Sequence, residues 1–279
     1  MTGPTIRFEQ IASQNQMYRL YSLSYFLHSA QAIGYRSIAF WAGPPHFSID
    51  GVSYGDVRAL KAAFDAHSLA CTCWTTPALL PPNQFAIEGK EAIEDTFRYF
   101  SNGIRACSDI GCKLMVCNSG YGMRTHDRDE AWKRCREMLR RLAEFAQAYG
   151  VTLTMESLRS QETNLVYTLE QTREMIAQVD HPNLKAMIDT TAMRVSGETM
   201  WQWFEAFGEK IVNLHFIDGT PYGHLAWGDG DCRLVDMLQC LNAYRYDGPI
   251  GLEVVGERYN RDPAAADAQC FKNLIRFVD

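Results

Sequence analysis

Four short apolar stretches in the second half of the chain each end on a residue able to bind a metal or move a proton. TLTME closes on Glu156, KAMID on Asp189, IVNLH on His215 and PIGLE on Glu253. An ionisable group after a mostly apolar run is costly to bury unless it is paired or coordinated. Each has a plainer explanation when taken alone. Asp189 can cap a helix, His215 can be a satisfied core histidine, and either glutamate can pair with an arginine. Four such ends at equivalent positions point instead to one inward-facing cluster. Three carboxylates and an imidazole suit Mn²⁺ first, with Co²⁺ and Mg²⁺ as further candidates and Zn²⁺ less favoured than in a Cys- and His-rich site.

Such a cluster needs elements that carry four distant segments to one point. Short apolar or β-branched runs occupy residues 6–11, 37–41, 69–75, 113–118, 151–156, 184–189, 211–216 and 249–254. They recur near every thirty-five residues, and helical periodicity fills the intervals. The clearest interval predicts a helix over 127–149, with Ala131, Trp132, Cys135, Met138, Leu139, Leu142, Phe145, Ala146 and Tyr149 on one face and Gly150 as its stop. Helices are also predicted over 54–67 and over 91–110, the second ended by Gly111. Helix, glycine and buried strand follow one another in HSAQAIGYRSIAFW, ACSDIGCKLMVCN and AQAYGVTLTMES, the order of a parallel sheet with crossover helices. Eight alternations in 279 residues fit a single α/β domain over 1–279, a (β/α)8 TIM barrel. Pro77, Pro81 and Pro82 read as a long loop after the third strand. A barrel builds its chemistry at the carboxyl ends of its strands, which is where the four residues fall.

With these motifs in this order, the chain resembles the xylose isomerase-like barrel superfamily of sugar isomerases and epimerases. Glu156, Asp189, His215 and Glu253 end the fifth to eighth strands, spaced by thirty-three, twenty-six and thirty-eight residues, much as in the ketose 3-epimerases. WAGPPHF at 41–47, HFID and ERYNRDP resemble the fructoselysine 3-epimerase branch in particular. The resemblance spans essentially the whole chain and is more specific for the superfamily than for the substrate. It implies a divalent metal held by all four residues, bridging the C2 carbonyl and C3 hydroxyl of a keto sugar as a Lewis acid. It implies that Glu156 and Glu253 are the catalytic pair, one taking the C3 proton to leave a cis-enediolate and the other returning a proton on the opposite face. Glu162, six residues after Glu156, matches a carboxylate that holds the end of the substrate. A homo-oligomer, dimer or tetramer, is the family expectation.

Two departures bear on the substrate. Free-ketose 3-epimerases carry a histidine three residues after the metal aspartate and an arginine six residues after the metal histidine; here these are Ala192 and Pro221. Their loss shifts the expectation toward a C1-substituted, fructoselysine-like keto sugar. His224, in GTPYGHLAWGDGD, is either a replacement donor to substrate or an exposed loop histidine. The same metal site also suits a lyase acting on a keto-inositol or a 3-keto glycoside, and an aldose–ketose isomerase.

Other strand-end residues are candidate substrate contacts with plainer alternatives. His46 faces substrate or packs its loop; Trp41 and Trp74 cover a sugar face or fill the barrel mouth; Asn118 offers a polar contact or forms a turn. Asp218 either orients His215 or sits in a surface turn. The GDGD segment at 228–231 lacks a lysine and P-loop spacing, so it reads as a turn that orders its loop. No Gly-rich dinucleotide fingerprint follows a strand, which disfavours NAD and flavin.

Composition sets the outer bounds. Thirty-three acidic against 27 basic residues, a net charge of −6, disfavour nucleic acid, which needs a clustered basic face. No apolar run approaches the about 18 residues of a membrane span, and the first twenty residues lack the apolar core of a leader. A cytoplasmic protein acting on a small molecule is the expectation. Nine cysteines without paired zinc-ribbon spacing read as reduced, mostly buried thiols.

Overall fold

The helices start and stop where particular side chains dictate. Ser22, Asp56, Asp127, Thr168, Thr199 and Asp262 each accept a backbone N–H from two or three residues further on. Each thereby satisfies a donor that the first turn leaves free. The helices are α1 (Leu23–Ile33), α2 (Val57–Ala66), α3 (Lys90–Asp109), α4 (Arg128–Ala148), α5 (Leu169–Val179), α6 (Thr190–Val195), α7 (Met200–Phe207), α8 (Leu234–Ala243) and α9 (Pro263–Leu274). Gly111 and Gly150, with φ of +89° and +63°, turn the chain left-handed just after α3 and α4, a conformation open to glycine. On α4 the expected face is buried except at Phe145 and Tyr149, which are half-buried beneath the guanidinium of Arg105.

The computed structural model describes residues 6–79, 82–220 and 222–278. Pro81 and Pro221 lie outside the described residues. The strands are β1 (Ile11–Gln14), β2 (Ser37–Trp41), β3 (Ala70–Thr75), β4 (Leu114–Cys117), β5 (Thr152–Met155), β6 (Leu184–Asp189), β7 (Ile211–His215), β8 (Asp218–Thr220), β9 (Tyr222–Leu225) and β10 (Ile250–Leu252). Eight of them form a closed parallel barrel in the order β1-β10-β7-β6-β5-β4-β3-β2, while β8 and β9 pair antiparallel as a separate hairpin. The protein is a single-domain TIM barrel. Among the described residues no helix is long and apolar enough to cross a membrane. All nine cysteines are free, with Cys71 and Cys232 half-buried and the others buried.

The first strand differs from expectation. It runs over Ile11–Gln14 and shares only Ile11 with the predicted 6–11. Phe8–Gln10 forms a single 3₁₀ turn. The Gln10 side chain accepts from Arg7 N at 2.8 Å and donates to Gly248 O at 2.9 Å. Satisfying polar groups locally in this way offers the backbone an alternative to the sheet ladder. Ile6 and Ile11 are both buried, so the apolar pattern was real but the element that buries Ile6 is not a strand.

Inside the barrel a small apolar cluster of Ala12, Ala39, Cys73, Val116 and Met187 fills the middle. Asn213 donates to Cys73 Sγ at 3.3 Å and Thr154 to Met187 Sδ at 3.3 Å, which places both side chains in the same interior. A Cβ added to Gly251 would stand 3.3 Å from the Ala39 Cβ of that cluster. This packed floor is what the site rests on.

Candidate metal centre

Side chains on a strand return to one face every second residue. Thr154, Met187, Asn213 and Gly251 belong to the barrel interior, so the residues two further on point inward one layer higher. They are Glu156, Asp189, His215 and Glu253, and one ligand atom from each lies within 4.8 Å of the others. His215 Nδ1 is 2.6 Å from Glu156 Oε1, 3.0 Å from Glu253 Oε2 and 3.8 Å from Asp189 Oδ2. All four side chains are buried. Asp189 serves in two ways. Its Oδ1 accepts from Ala192 N at 2.7 Å and caps α6, while Oδ2 is buried without a hydrogen-bond partner.

Two neighbours were not legible as site residues. Gln14, at the end of β1, donates to Glu253 Oε1 at 3.3 Å. Arg159 lines the same cavity as Glu156, Asp189 and Glu253. Counting strand ends would have found Gln14 had β1 been placed three residues later. Arg159 lies in a loop, where no periodicity marks it.

The electrostatics are those of a cluster short of positive charge. Burial, with the charges of Glu253 and Asp189, pushes Glu156 up to about 7 against the pull of His215. Burial also works to raise Glu253, but His215 and His224 outweigh it and hold that carboxyl below its ordinary range. Asp189 is raised, chiefly by burial. Burial disfavours charge on His215, yet Glu253 and Glu156 overcome it and lift the imidazole well above its ordinary value. Protonated histidine is thus the counter-ion available from the chain itself.

A divalent cation fits this donor set. Three carboxylates and one imidazole converge, Asp189 Oδ2 has no partner, and the charge the cluster lacks is positive. His215 would present the Nδ1 lone pair after losing its proton, so binding would release a proton.

The remaining predicted residues fall into three groups. Glu162 and His224 line the cavity of about 210 Å³ above the cluster. His224 arrives on β9, and its Nδ1 sits 3.2 Å from the Glu253 backbone oxygen and 3.2 Å from Glu253 Oε2. It is not the exposed alternative. Glu253 and Asp189 raise it to about 9 although burial opposes the charge. Trp41 and Asn118 line an adjoining cavity of about 170 Å³ that shares Glu156 and Glu253. Asn118 also accepts from Gly120 N at 2.9 Å, the turn role.

His46 and Trp74 stand apart from both cavities. Asn15 Nδ2 lies 2.8 Å from His46 Nδ1, and Nε2 lies 2.9 Å from Tyr21 O, so the protein occupies both ring nitrogens. Trp74 is buried with its ring 5.4 Å from those of Phe40 and Phe47, and its Nε1 donates to Thr76 Oγ1. β-strand alternation turns this side chain away from the barrel axis. Asp218 meets neither expectation, since it is buried yet does not hold His215. It accepts from Gly219 and Cys232 through Oδ1 and from Gly228 and Gly230 through Oδ2, which organises the GDGD loop.

Comparison with known proteins agrees with this architecture. The chain belongs to the xylose isomerase-like TIM barrel family, whose model matches residues 27–274. Fructoselysine 3-epimerase of Shigella flexneri is 22% identical over 84% of this chain and 85% of the relative. D-psicose 3-epimerase of Ruminiclostridium cellulolyticum is 32% identical over 47% of this chain and 43% of the relative. Among solved structures, 3-keto-D-glucoside 4-epimerase from E. coli has a TM-score of 0.79 at 18% identity, covering 96% of this chain and 99% of that one. At that identity the likeness speaks for the fold alone. The curated relatives that are named for an activity are epimerases and isomerases, and kinship of this kind makes the chain an enzyme of that group.

Proposed function

We propose that the protein inverts C3 of a keto sugar, with Glu156 and Glu253 as the two acid–base groups. The observation that carries this reading is the approach of both carboxylates to the same point, at 2.6 and 3.0 Å from His215 Nδ1, from strands separated by β6 and β7. A divalent ion, Mn²⁺ by preference, would be held by these two with Asp189 and His215, and it supplies Lewis-acid polarisation of the ketone and charge stabilisation. One glutamate takes the C3 proton and the other returns one to the opposite face of the planar enediolate. Glu162 and His224 would hold substrate oxygens on one side of the reacting carbon, while on the other Asn118 would offer a polar contact and Trp41 would cover a sugar face. The relatives named for fructoselysine and ketoses support a keto sugar, and the pair of cavities meeting at the glutamates supports one that carries a C1 substituent. A homo-oligomer working in the cytoplasm belongs to the same proposal.

Incubation with Mn²⁺ and candidate ketoses in D₂O tests it. Deuterium should enter at C3, and Glu156→Gln and Glu253→Gln should each abolish the exchange while sugar binding survives. Full turnover by either variant would end the two-base assignment. Label at C1 would identify an isomerase instead, and loss of water or aglycone a lyase.

A further inference from the structure

We propose that Arg159 anchors an anionic group, so that the sugar handled here carries a carboxylate or phosphate at one end. This deepens the keto-sugar reading and rests on it.

Arg159 follows Glu156 by three residues and lines the cavity above the metal cluster. Among the described residues lining that cavity and the adjoining one, it is the only arginine or lysine. Its conformation is set by Glu162. Backbone N and Nε donate to Glu162 Oε2 at 3.0 and 2.9 Å, and Nη2 donates to Oε1 at 2.7 Å. A bidentate carboxylate of this kind fixes the plane of the guanidinium. It also keeps the arginine from pairing with Glu156, Asp189 or Glu253, which stay available to a cation.

A guanidinium offers five N–H donors, and this pairing uses Nε–H and one hydrogen on Nη2. Among the described residues nothing accepts from Nη1. The second edge, made of Nη1 and the other Nη2 hydrogen, is therefore a fixed fork with no protein acceptor, on a half-buried residue at the cavity wall. Two parallel N–H groups match two oxygens of a carboxylate or phosphate in charge-assisted bonds, whereas a neutral sugar hydroxyl offers one oxygen and no charge to the pair. Because Glu162 already balances the charge, recognition comes from the direction of the two donors more than from net charge.

The space on either side of the reacting carbon accommodates such a substrate. Cavities of about 210 and 170 Å³ meet at Glu156 and Glu253. Arg159 is in the first, while the second is lined by Trp41, Pro77, Val116 and Asn118 with no cationic side chain. A sugar held by its middle between the glutamates thus presents one end to Arg159 and the other to a mostly apolar wall.

Binding of unreactive probes tests the anchor independently of turnover. Metal-loaded protein is titrated calorimetrically with glucitol, glucitol 6-phosphate and gluconate, none of which has a ketone. At least one anion should bind about tenfold or more tighter than glucitol. The stronger of the two tells phosphate from carboxylate. In Arg159→Met that preference should fall to near one, and Arg159→Lys, which keeps the charge without the fork and is the milder change should the first variant misfold, should restore only part of it. Equal affinity for all three probes in the native protein would overturn the proposal. So would a preference that survives in Arg159→Met, since the anion would then be sitting on the metal or on His224, and so would a uniform loss for all three probes, since Arg159 would then only be positioning Glu162. Anion preference without C3 exchange on any ketose would defeat the epimerase reading and leave the anchor. Exchange on ketoses without anion preference would do the reverse.

Discussion

Replacing Asp267 by asparagine should remove one large component of the protein's pH-dependent stability. Asp267 is a buried residue of α9 whose Oδ2 accepts from Ser13 Oγ and Tyr18 OH at 2.7 Å each, while Oδ1 has no partner. Burial pushes its carboxyl from 3.8 up to about 7, and the two hydroxyl donors only partly counter this. Between those values the folded chain holds a proton that the unfolded chain has released. Stability from this group is therefore fully present below about pH 4 and is lost progressively as pH rises through 7. The rise from 3.8 to about 7 corresponds to on the order of 4 kcal/mol. Asparagine keeps an oxygen for Ser13 and Tyr18 but places an amide where Oδ1 stood, which costs about 1–3 kcal/mol at every pH. That fixed cost cancels when the two proteins are compared across pH. Urea unfolding of both between pH 4.5 and 8 should thus show the variant gaining on the native protein by on the order of 3 kcal/mol as pH rises, the rest of the change falling below pH 4.5. A stability difference that stays constant, or moves the other way, would refute the assignment of a protonated, buried carboxyl.

Gln14→Leu should weaken Mn²⁺ binding about tenfold by releasing Glu253 Oε1, as removal of a ligand's hydrogen-bond partner commonly does; competition with a chelating dye reads it, and unchanged affinity would mean Gln14 does not orient the glutamate. Asp189→Asn preserves an oxygen to cap α6 but removes a charged ligand, so the protein should keep its helical circular dichroism and lose stoichiometric metal on elemental analysis. Adding Mn²⁺ at a hundred times its dissociation constant should stabilise the native protein by about 2.7 kcal/mol, and a chelator should reverse the shift. Gly103→Ala should destabilise by about 1–3 kcal/mol despite alanine's better helix propensity, because the new Cβ on α3 would collide with Thr76 Oγ1; denaturant midpoints decide it.

The parts of the fold legible in the sequence were those written in a local period. Residues 37–41 and 184–189 were read as strands with the bounds the structure shows, because each is an apolar run flanked by helix signals. Gly111 and Gly150 marked helix ends for the same local reason. β1 escaped because its neighbour Gln10 makes bonds to Arg7 and to Gly248, the second of which closes a loop of more than two hundred residues. No window of sequence contains both partners. The misplaced strand then hid Gln14, since a strand-end search starting from Ile11 stops before reaching it.

The same distinction explains which site residues could be found. Glu156, Asp189, His215 and Glu253 lie two residues above interior side chains on their own strands, so the strand period alone aims them inward. His224 reaches the cluster by another route. The β8–β9 hairpin is held at one end by Asp218, which ties the backbone of the GDGD loop, and at the other by the bond from Val255 N to His224 O at 3.0 Å. Those contacts set an imidazole 3.7 Å from Asp189 Oδ2, while the residue that follows Asp189 by three is an alanine lining the same cavity. Read along the chain, Ala192 looks like a missing polar group. In three dimensions the β8–β9 hairpin, thirty-two residues away, supplies an imidazole to the same cavity; the sequence offered His224 as a replacement donor or an exposed residue, and the long-range contacts that anchor the hairpin decide between the two.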